Sequence, residues 1–235
     1  MYGYVNYNIE RPPAELVQRF HNIWASTLCD VMGRHGGMGH EIRPILEGTR
    51  LVGTALTVLS FPGDNITTHK ALQLAQPGDV LVIDDGGGHN TAAFGHNMSL
   101  RAKSAGAVGV VTNGAIRDLQ LIRKDQFPIF CSGVCPRSPQ KNTPGSVNVP
   151  IQVGGVVVSP GDVVVGDDDG VAIVPAADAT GIIREAEKRM EMEHQQAEDI
   201  RAGKVPLEIL YGASWVDDIL RGKIREIGKA SDGGR

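Results

Sequence analysis

"FGHNMSLRAKSAGAVGVVTNGAIRDLQLIRKD", residues 94–125, decides the fold. Met98, Ala102 and Ala105 fall on one stripe at helical spacing, and Gly106 stands where a helix C-terminal cap belongs. "AVGVVTNG" (107–114) then has the nearly unbroken apolar run of a strand buried on both faces. "RDLQLIRKD" (117–125) starts another helix. Helix, doubly buried strand and helix in succession predict an α/β layer architecture.

The flanks extend this pattern. "QPGDVLVIDDGG" (76–87) is echoed by "SPGDVVVGDDDG" (159–170), which reads as two similar turn–strand–turn units. The period is too long and the copies too few for a solenoid. "RLVGTALTVLSF" (50–61) is rich in β-formers and predicts a strand; "ITTHKALQLAQ" (66–76) predicts a short helix ended by Pro77. Nearer the N-terminus, apolar residues at 16, 17, 20, 23, 24, 28, 31 and 32 predict one helix over 14–32, with Gly36 and Gly37 as breakers. Downstream, "FPIFCSGVCP" (127–136) is strand then loop, 147–174 is nearly all strand and turn, and 176–202 is a long polar helix. An amphipathic segment over 206–224 and a polar tail over 228–235, expected to lack order, follow. No Pro- or Ser-rich linker divides the chain. The expectation is a single domain over 1–203, with a mixed sheet and outer helices, and a C-terminal extension over 204–235.

Composition narrows the function. The 235 residues are 41% hydrophobic, enough for a sizeable core; 30 glycines and 5% aromatics suit many short strands joined by tight turns. A net charge of −4 without a basic block gives no electrostatic footprint for nucleic acid or an anionic membrane. No apolar stretch reaches the roughly 18 residues of a membrane span. The N-terminal "MYGYVNYNIERPP" lacks the basic-then-apolar order of a signal peptide. Cys29, Cys131 and Cys135 read as small buried hydrophobes, which fits a reducing cytoplasm.

Two places could carry chemistry. At the helix start after Gly95, the amides of His96, Asn97 and Met98 have no intrahelical partners, and the helix dipole adds positive potential, so the terminus suits a carboxylate or phosphate. The glycine run "DDGGGHN" (84–90) before it would let a ligand approach the backbone. The plain alternative is an ordinary strand-to-helix loop. Arg117 and Asp118 follow the buried strand, where open α/β sheets place their ligands. A guanidinium grips a carboxylate with two parallel hydrogen bonds, and an adjacent carboxylate can hold a hard cation such as Mg²⁺. Together with the Gly95 helix start they would make a pocket for an α-keto acid. Alternatively, Asp118 caps the following helix while Arg117 pairs with it or with solvent. His89 and His96 with Asp118 form a loose two-histidine, one-carboxylate set. "DDDG" (167–170) reads as a charged turn. The cysteines have no obvious base partner, and His69 in "ITTHKAL" reads as a packed or surface residue.

The segments "PGDVLVIDDGGG", "FGHNMS", "GVVTNGAIRD", "GVCPRSP", "VNVPIQVGGVVVSPGDVVVGDDDGVAIVP" and "EKRMEMEHQQAEDIRAG", in this order, resemble the RraA-like family over roughly residues 20–203. That family includes class II, metal-dependent pyruvate aldolases for 4-hydroxy-4-methyl-2-oxoglutarate and 4-carboxy-4-hydroxy-2-oxoadipate, and the regulator of ribonuclease E activity. "FPGDNITTHKALQLAQPGDVLVID" (61–84) looks most like the aldolase branch. The resemblance implies an α/β fold, a four-layer α-β-β-α sandwich of the swivelling type. It implies homotrimers, often paired into hexamers, with sites between subunits, and a Mg²⁺ or Mn²⁺ cofactor. Arg117 would bind the substrate carboxylate and steady the enolate, and Asp118 would be the direct metal ligand. The backbone Gly95–Met98, hence His96 and Asn97 too, would cradle the pyruvoyl carboxylate. Glu193, with Glu191 as the fallback, would reach a neighbour's metal through water. His96 stands where aldolases carry an acid, and Leu121 where many members have one, so the metal site is less acidic than usual. The implied activity is retro-aldol cleavage of a 4-hydroxy-2-oxo acid to pyruvate, with water taking the C4 hydroxyl proton and with oxaloacetate decarboxylation as a side activity. The alternative is a non-catalytic regulator that binds a ribonuclease.

Overall fold

The computed structural model of the protein describes residues 3–204, 218–221 and 223–224. The chain forms two compact units, Met1–Lys188 and Arg189–Arg235. The predicted amphipathic segment 206–224 falls largely outside the described residues, and the tail 228–235 wholly so.

The first unit opens with α1 (Ala14–Arg19), a 3-10 turn (Phe20–Asn22) and α2 (Ala25–Val31). The single helix predicted over 14–32 is therefore broken. Ile23 and Trp24 are extended, and their breaking point is stabilised from afar. Arg50 donates to the carbonyls of Phe20 and Ile23, and the Asp167 carboxylate accepts the Ala25 amide at 2.7 Å. The break lets Phe20, Ile23 and Leu28 all reach the core.

Then follow β1 (Arg43–Pro44), β2 (Leu51–Leu59), α3 (Ile66–Leu72), β3 (Asp79–Asp84), β4 (Ala92–Phe94), α4 (His96–Ser104), β5 (Gly109–Ile116), α5 (Leu119–Lys124) and β6 (Ile129–Val134). After these come β7 (Ser146–Val147), the hairpin β8 (Ile151–Val153) and β9 (Val156–Val158), then β10 (Val163–Asp167), β11 (Gly170–Val174) and α6 (Ala179–Arg201). The main sheet runs β1-β6-β5-β3-β2-β10-β11, with β4 on β5 and β7 on β2. Strands β2, β3, β5 and β6 are parallel; β10 and β11 continue antiparallel. The edge strands β1 and β11 approach each other, so the sheet is nearly closed, as the α/β expectation requires in its sandwich form.

Strand periodicity sorts the core into two sides. Leu81 and Ile83 of β3 join Leu56, Val110, Met98, Ala102 and Ile122 in a cluster beneath the helices. Val80 and Val82 join Val111, Phe130, Val164, Ile173 and the β8–β9 hairpin in an inner cluster. Each such side chain contributes about 1.5–3 kcal/mol by burial. The sequence echo is a shared turn. Asp79 Oδ2 accepts the Gln76 amide and Asp162 Oδ2 accepts the Ser159 amide, three residues back in both cases. Gly78 and Gly161 adopt φ of 90° and 94°, which only glycine takes at little cost. The "DDDG" stretch is the charged β10–β11 turn that was expected, with Asp167 Oδ1 accepting the Asp169 amide.

A basic cavity at the ends of the parallel strands

The short strand β4 creates the site. Phe94 pairs with Ile116 across from the end of β5, and the Arg117 amide donates to the Phe94 carbonyl at 3.0 Å. Gly95 therefore lies against Arg117 and Asp118. A Cβ on Gly95 would stand 2.9 Å from Asp118 Oδ2 and 3.0 Å from Arg117 Cγ. The backbone there is extended at φ −154°, so glycine is required for space and not for conformation.

Asp118 occupies the residue before α5 in the left-handed region, φ 62° and ψ 32°. Asp is one of the few non-glycine residues found there, at a cost of about 1–2 kcal/mol. Its side chain makes no capping bond to α5. Oδ2 accepts instead the His96 backbone N–H, at 3.1 Å, from the first residue of α4. The Arg117 Nε lies 3.7 Å from the same oxygen, and Arg117 Nη1 donates to Ser138 Oγ. Both side chains are nearly two-fifths exposed. Of the plainer alternative, the side-chain cap is absent, while the pairing of Arg117 with Asp118 is present.

Only part of the predicted amide cradle is free. The His96 amide serves Asp118, and the Met98 amide turns back to the Gly95 carbonyl at 3.0 Å. Among the described residues, the Asn97 amide is the one of the three left for a ligand.

Arg117, Asp118, Gly95, Asn97 and Met98 line one cavity of about 210 Å³. The sequence missed the other polar and charged residues of its wall: Asn65, His69, Arg101 and Lys141. Arg101 follows Asn97 by one helical turn and was findable on that basis; Lys141 lies in a loop without periodicity. Asp64 holds that loop, accepting the amides of Asn142 and Thr143 at 2.6 and 2.9 Å. Burial alone would raise the Asp64 pKa, but these amides and that of Ile66 outweigh it and hold the carboxyl below its ordinary value. Three cations, Arg101, Arg117 and Lys141, thus share the lining with one carboxylate, Asp118. The His69 pKa is lowered by burial and then by Arg101 and Lys141, which favours the neutral ring. The Asn65 side chain is 4% exposed; Nδ2 donates to the Ala93 carbonyl while Oδ1 finds no partner.

Other predicted residues lie elsewhere. The His96 ring does not line the cavity: Nε2 donates to Asp125 Oδ2 at 2.7 Å. His89 Nε2 lies 2.8 Å from Ser132 Oγ, so His89, His96 and Asp118 do not assemble. Among the described residues no three His, Cys, Asp or Glu side chains are grouped to hold a metal. Leu121 is exposed. Within the second unit, Glu193 pairs with Arg189 at 2.8 Å, and Glu191 is exposed. Burial pushes the Cys131 thiol up to about 11, which removes it as a nucleophile. No described helix is long and apolar enough to cross a membrane. A single carboxylate in the lining, Asp118, fits a hard cation such as Mg²⁺, which keeps several waters and takes one or two protein carboxylates.

The family described as RraA-like, Aldolase/RraA, matches residues 25–173. A Halalkalibacterium halodurans protein named "Putative 4-hydroxy-4-methyl-2-oxoglutarate aldolase" is 37% identical over 175 residues, 74% of this chain and 83% of the relative. The 4-hydroxy-4-methyl-2-oxoglutarate aldolase of Thermus thermophilus is 35% identical over 54% of this chain and 76% of its own length. The crystal structure of Streptomyces coelicolor RraAS2, described as an unusual member of the RNase ES inhibitor RraA protein family, superposes with a TM-score of 0.74 at 31% identity, covering 81% of this chain and 99% of that one.

Proposed function

This chain belongs to the RraA-like family, and we propose that it is a divalent-cation-dependent lyase. It cleaves a 4-hydroxy-2-oxo acid bearing a second carboxylate to pyruvate and another oxo acid. The observation that carries this reading is the cavity itself, in which Arg101, Arg117 and Lys141 surround the lone Asp118. Three cations in a small space suit a substrate with two carboxylates. The aldolase names of the relatives agree with it.

Arg117 and the Asn97 amide would hold the carboxylate next to the keto group, and Arg101 and Lys141 the second carboxylate. A guanidinium at a strand end is rigidly aimed and grips a carboxylate with two prongs. Asp118 would hold Mg²⁺ or Mn²⁺, which supplies Lewis acidity to the 2-oxo group. Breaking the C3–C4 bond leaves its electron pair on the three-carbon fragment, and Arg117 stabilises the resulting negative charge. Oxaloacetate loses carbon dioxide to the same enolate, so decarboxylation is the expected side reaction. Glu193 would complete a neighbour's site in a trimer or hexamer.

A second reading is a regulator that acts by binding a ribonuclease. It draws on the His96 ring turned toward Asp125 and on the RraA neighbour. Pyruvate release from a panel of 4-hydroxy-2-oxo acids and oxaloacetate, with Mg²⁺ and with EDTA, separates the two. Cation-dependent pyruvate from any of them supports the lyase; none from all of them leaves the regulator.

A further inference from the structure

We propose that His69 is the general base that takes the C4 hydroxyl proton during cleavage. The inference rests on the lyase reading above and assigns within it a catalytic residue outside the Arg117–Asp118 pair.

The placement comes from α3. The His69 amide donates to the Asn65 carbonyl at 3.1 Å, so the two residues stand one turn apart, and both line the cavity. Thr67, Thr68, Ala71 and Leu72 are buried around them, which anchors the helix and fixes its cavity-facing side. The His69 imidazole makes no hydrogen bond to a described residue, whereas the rings of His89 and His96 are both engaged. Among the lining residues only His69 and Asp118 are bases, and the Asp118 carboxylate already accepts the His96 amide. His69 and the Arg117–Asp118 pair line the same small cavity of about 210 Å³. The charged groups facing His69 are Arg101 from α4, Lys141 from its loop, and Arg117 and Asp118 from the end of β5. Burial, Arg101 and Lys141 keep the ring neutral and able to accept a proton.

The step balances without a co-reactant. An imidazole nitrogen takes the proton from the C4 hydroxyl, and the O–H electron pair forms the C4 carbonyl. The C3–C4 bond breaks and its pair becomes the enolate of pyruvate. The imidazolium, disfavoured by Arg101 and Lys141, returns the proton to C3 and is neutral again. Decarboxylation of oxaloacetate involves no such hydroxyl, and a neutral imidazole has no spare proton to give there.

The test compares two reactions on the same purified protein with Mg²⁺: cleavage of 4-hydroxy-4-methyl-2-oxoglutarate and decarboxylation of oxaloacetate. In His69→Gln and His69→Asn, cleavage should fall about a hundredfold more than decarboxylation, the lower end of what general bases contribute. In the wild type, kcat/KM for cleavage should fall on the acid side, through an apparent pKa below that of an ordinary histidine, and decarboxylation should lack this limb. Equal losses in both reactions, unchanged cleavage, or no acid limb in the wild type would overturn the assignment to His69. A wild type that performs neither reaction would instead overturn the lyase reading beneath it.

Discussion

The backbone N–H of His96 donates to Asp118 Oδ2 over 3.1 Å, so the first peptide of α4 holds the carboxylate at the end of β5. The His96 ring points to Asp125 at 2.7 Å and fixes that peptide from the other side. Asp118 is thus held by a main-chain donor on one oxygen, in a left-handed conformation that leaves its charge at the cavity. Asp118→Asn should therefore keep the fold and lose the cation. Calorimetric titration with Mn²⁺ checks this, together with EDTA treatment of the wild type. EDTA should abolish pyruvate release and Mg²⁺ or Mn²⁺ restore it. Full turnover in chelator, with no bound metal, would refute the assigned role.

Gly95→Ala separates activity from stability. The added Cβ meets the Asp118 carboxylate and the Arg117 side chain, both of which can swing aside. The fold should survive with a loss within about 1 kcal/mol, below usual overpacking costs because the neighbours move. Turnover should drop at least about tenfold, since reacting groups misplaced by about an ångström lose that much or more. Thermal melts and pyruvate-release kinetics on the one variant provide both readouts.

Asp85 makes stability depend on pH. It is fully buried, and neither carboxyl oxygen has a partner of good geometry. Burial raises its pKa from 3.8 to about 7; the approaching Gly63 amide offsets part of this, while Asp84 and Asp64 add to it. The unfolded chain gives up this proton near 3.8, and the folded chain keeps it to about 7. Between those values the folded state binds more protons, so its stability falls as pH rises, by at most about 1.4 kcal/mol per pH unit, and levels off above. Urea unfolding at pH 5 and pH 8 should show the wild type weaker at pH 8. Asp85→Asn should flatten the difference.

The proposed assembly rests on the long helix α6. Light scattering at micromolar concentration should report a trimer or a hexamer, and Glu193→Ala should lower turnover without dissociating it. A monomer with full activity would contradict the shared site.

Much of the frame was legible because burial on both faces leaves its mark in sequence. Val80 and Val82 serve one cluster while Leu81 and Ile83 serve the other, so "VLVI" could be little else than a central strand. Arg117 and Asp118 stood out because they end such a run. What was hidden depended on distant partners. The break at Ile23 is stabilised by Arg50 and Asp167, and no local pattern announces it. The three-residue strand β4 is too short for periodicity, yet it places Gly95 against Arg117. His69 looked ordinary because its importance comes from Arg101 and Lys141, which tertiary folding brings to it.

Arg117 is where the account is most exposed. Lys keeps the charge and loses the two-pronged geometry. A charge-assisted hydrogen bond contributes roughly 1.5–3 kcal/mol, about ten- to a hundredfold in rate when it tightens as the enolate forms. The measurement is pyruvate release from 4-hydroxy-4-methyl-2-oxoglutarate and from oxaloacetate, with Mg²⁺, by the wild type and by purified, folded Arg117→Lys. The account predicts turnover in the wild type and a loss of about ten- to a hundredfold in Arg117→Lys, with Arg117→Ala worse and Mn²⁺ still bound in both. Near-wild-type rates in Arg117→Lys on both substrates, or no pyruvate from the wild type, would contradict it.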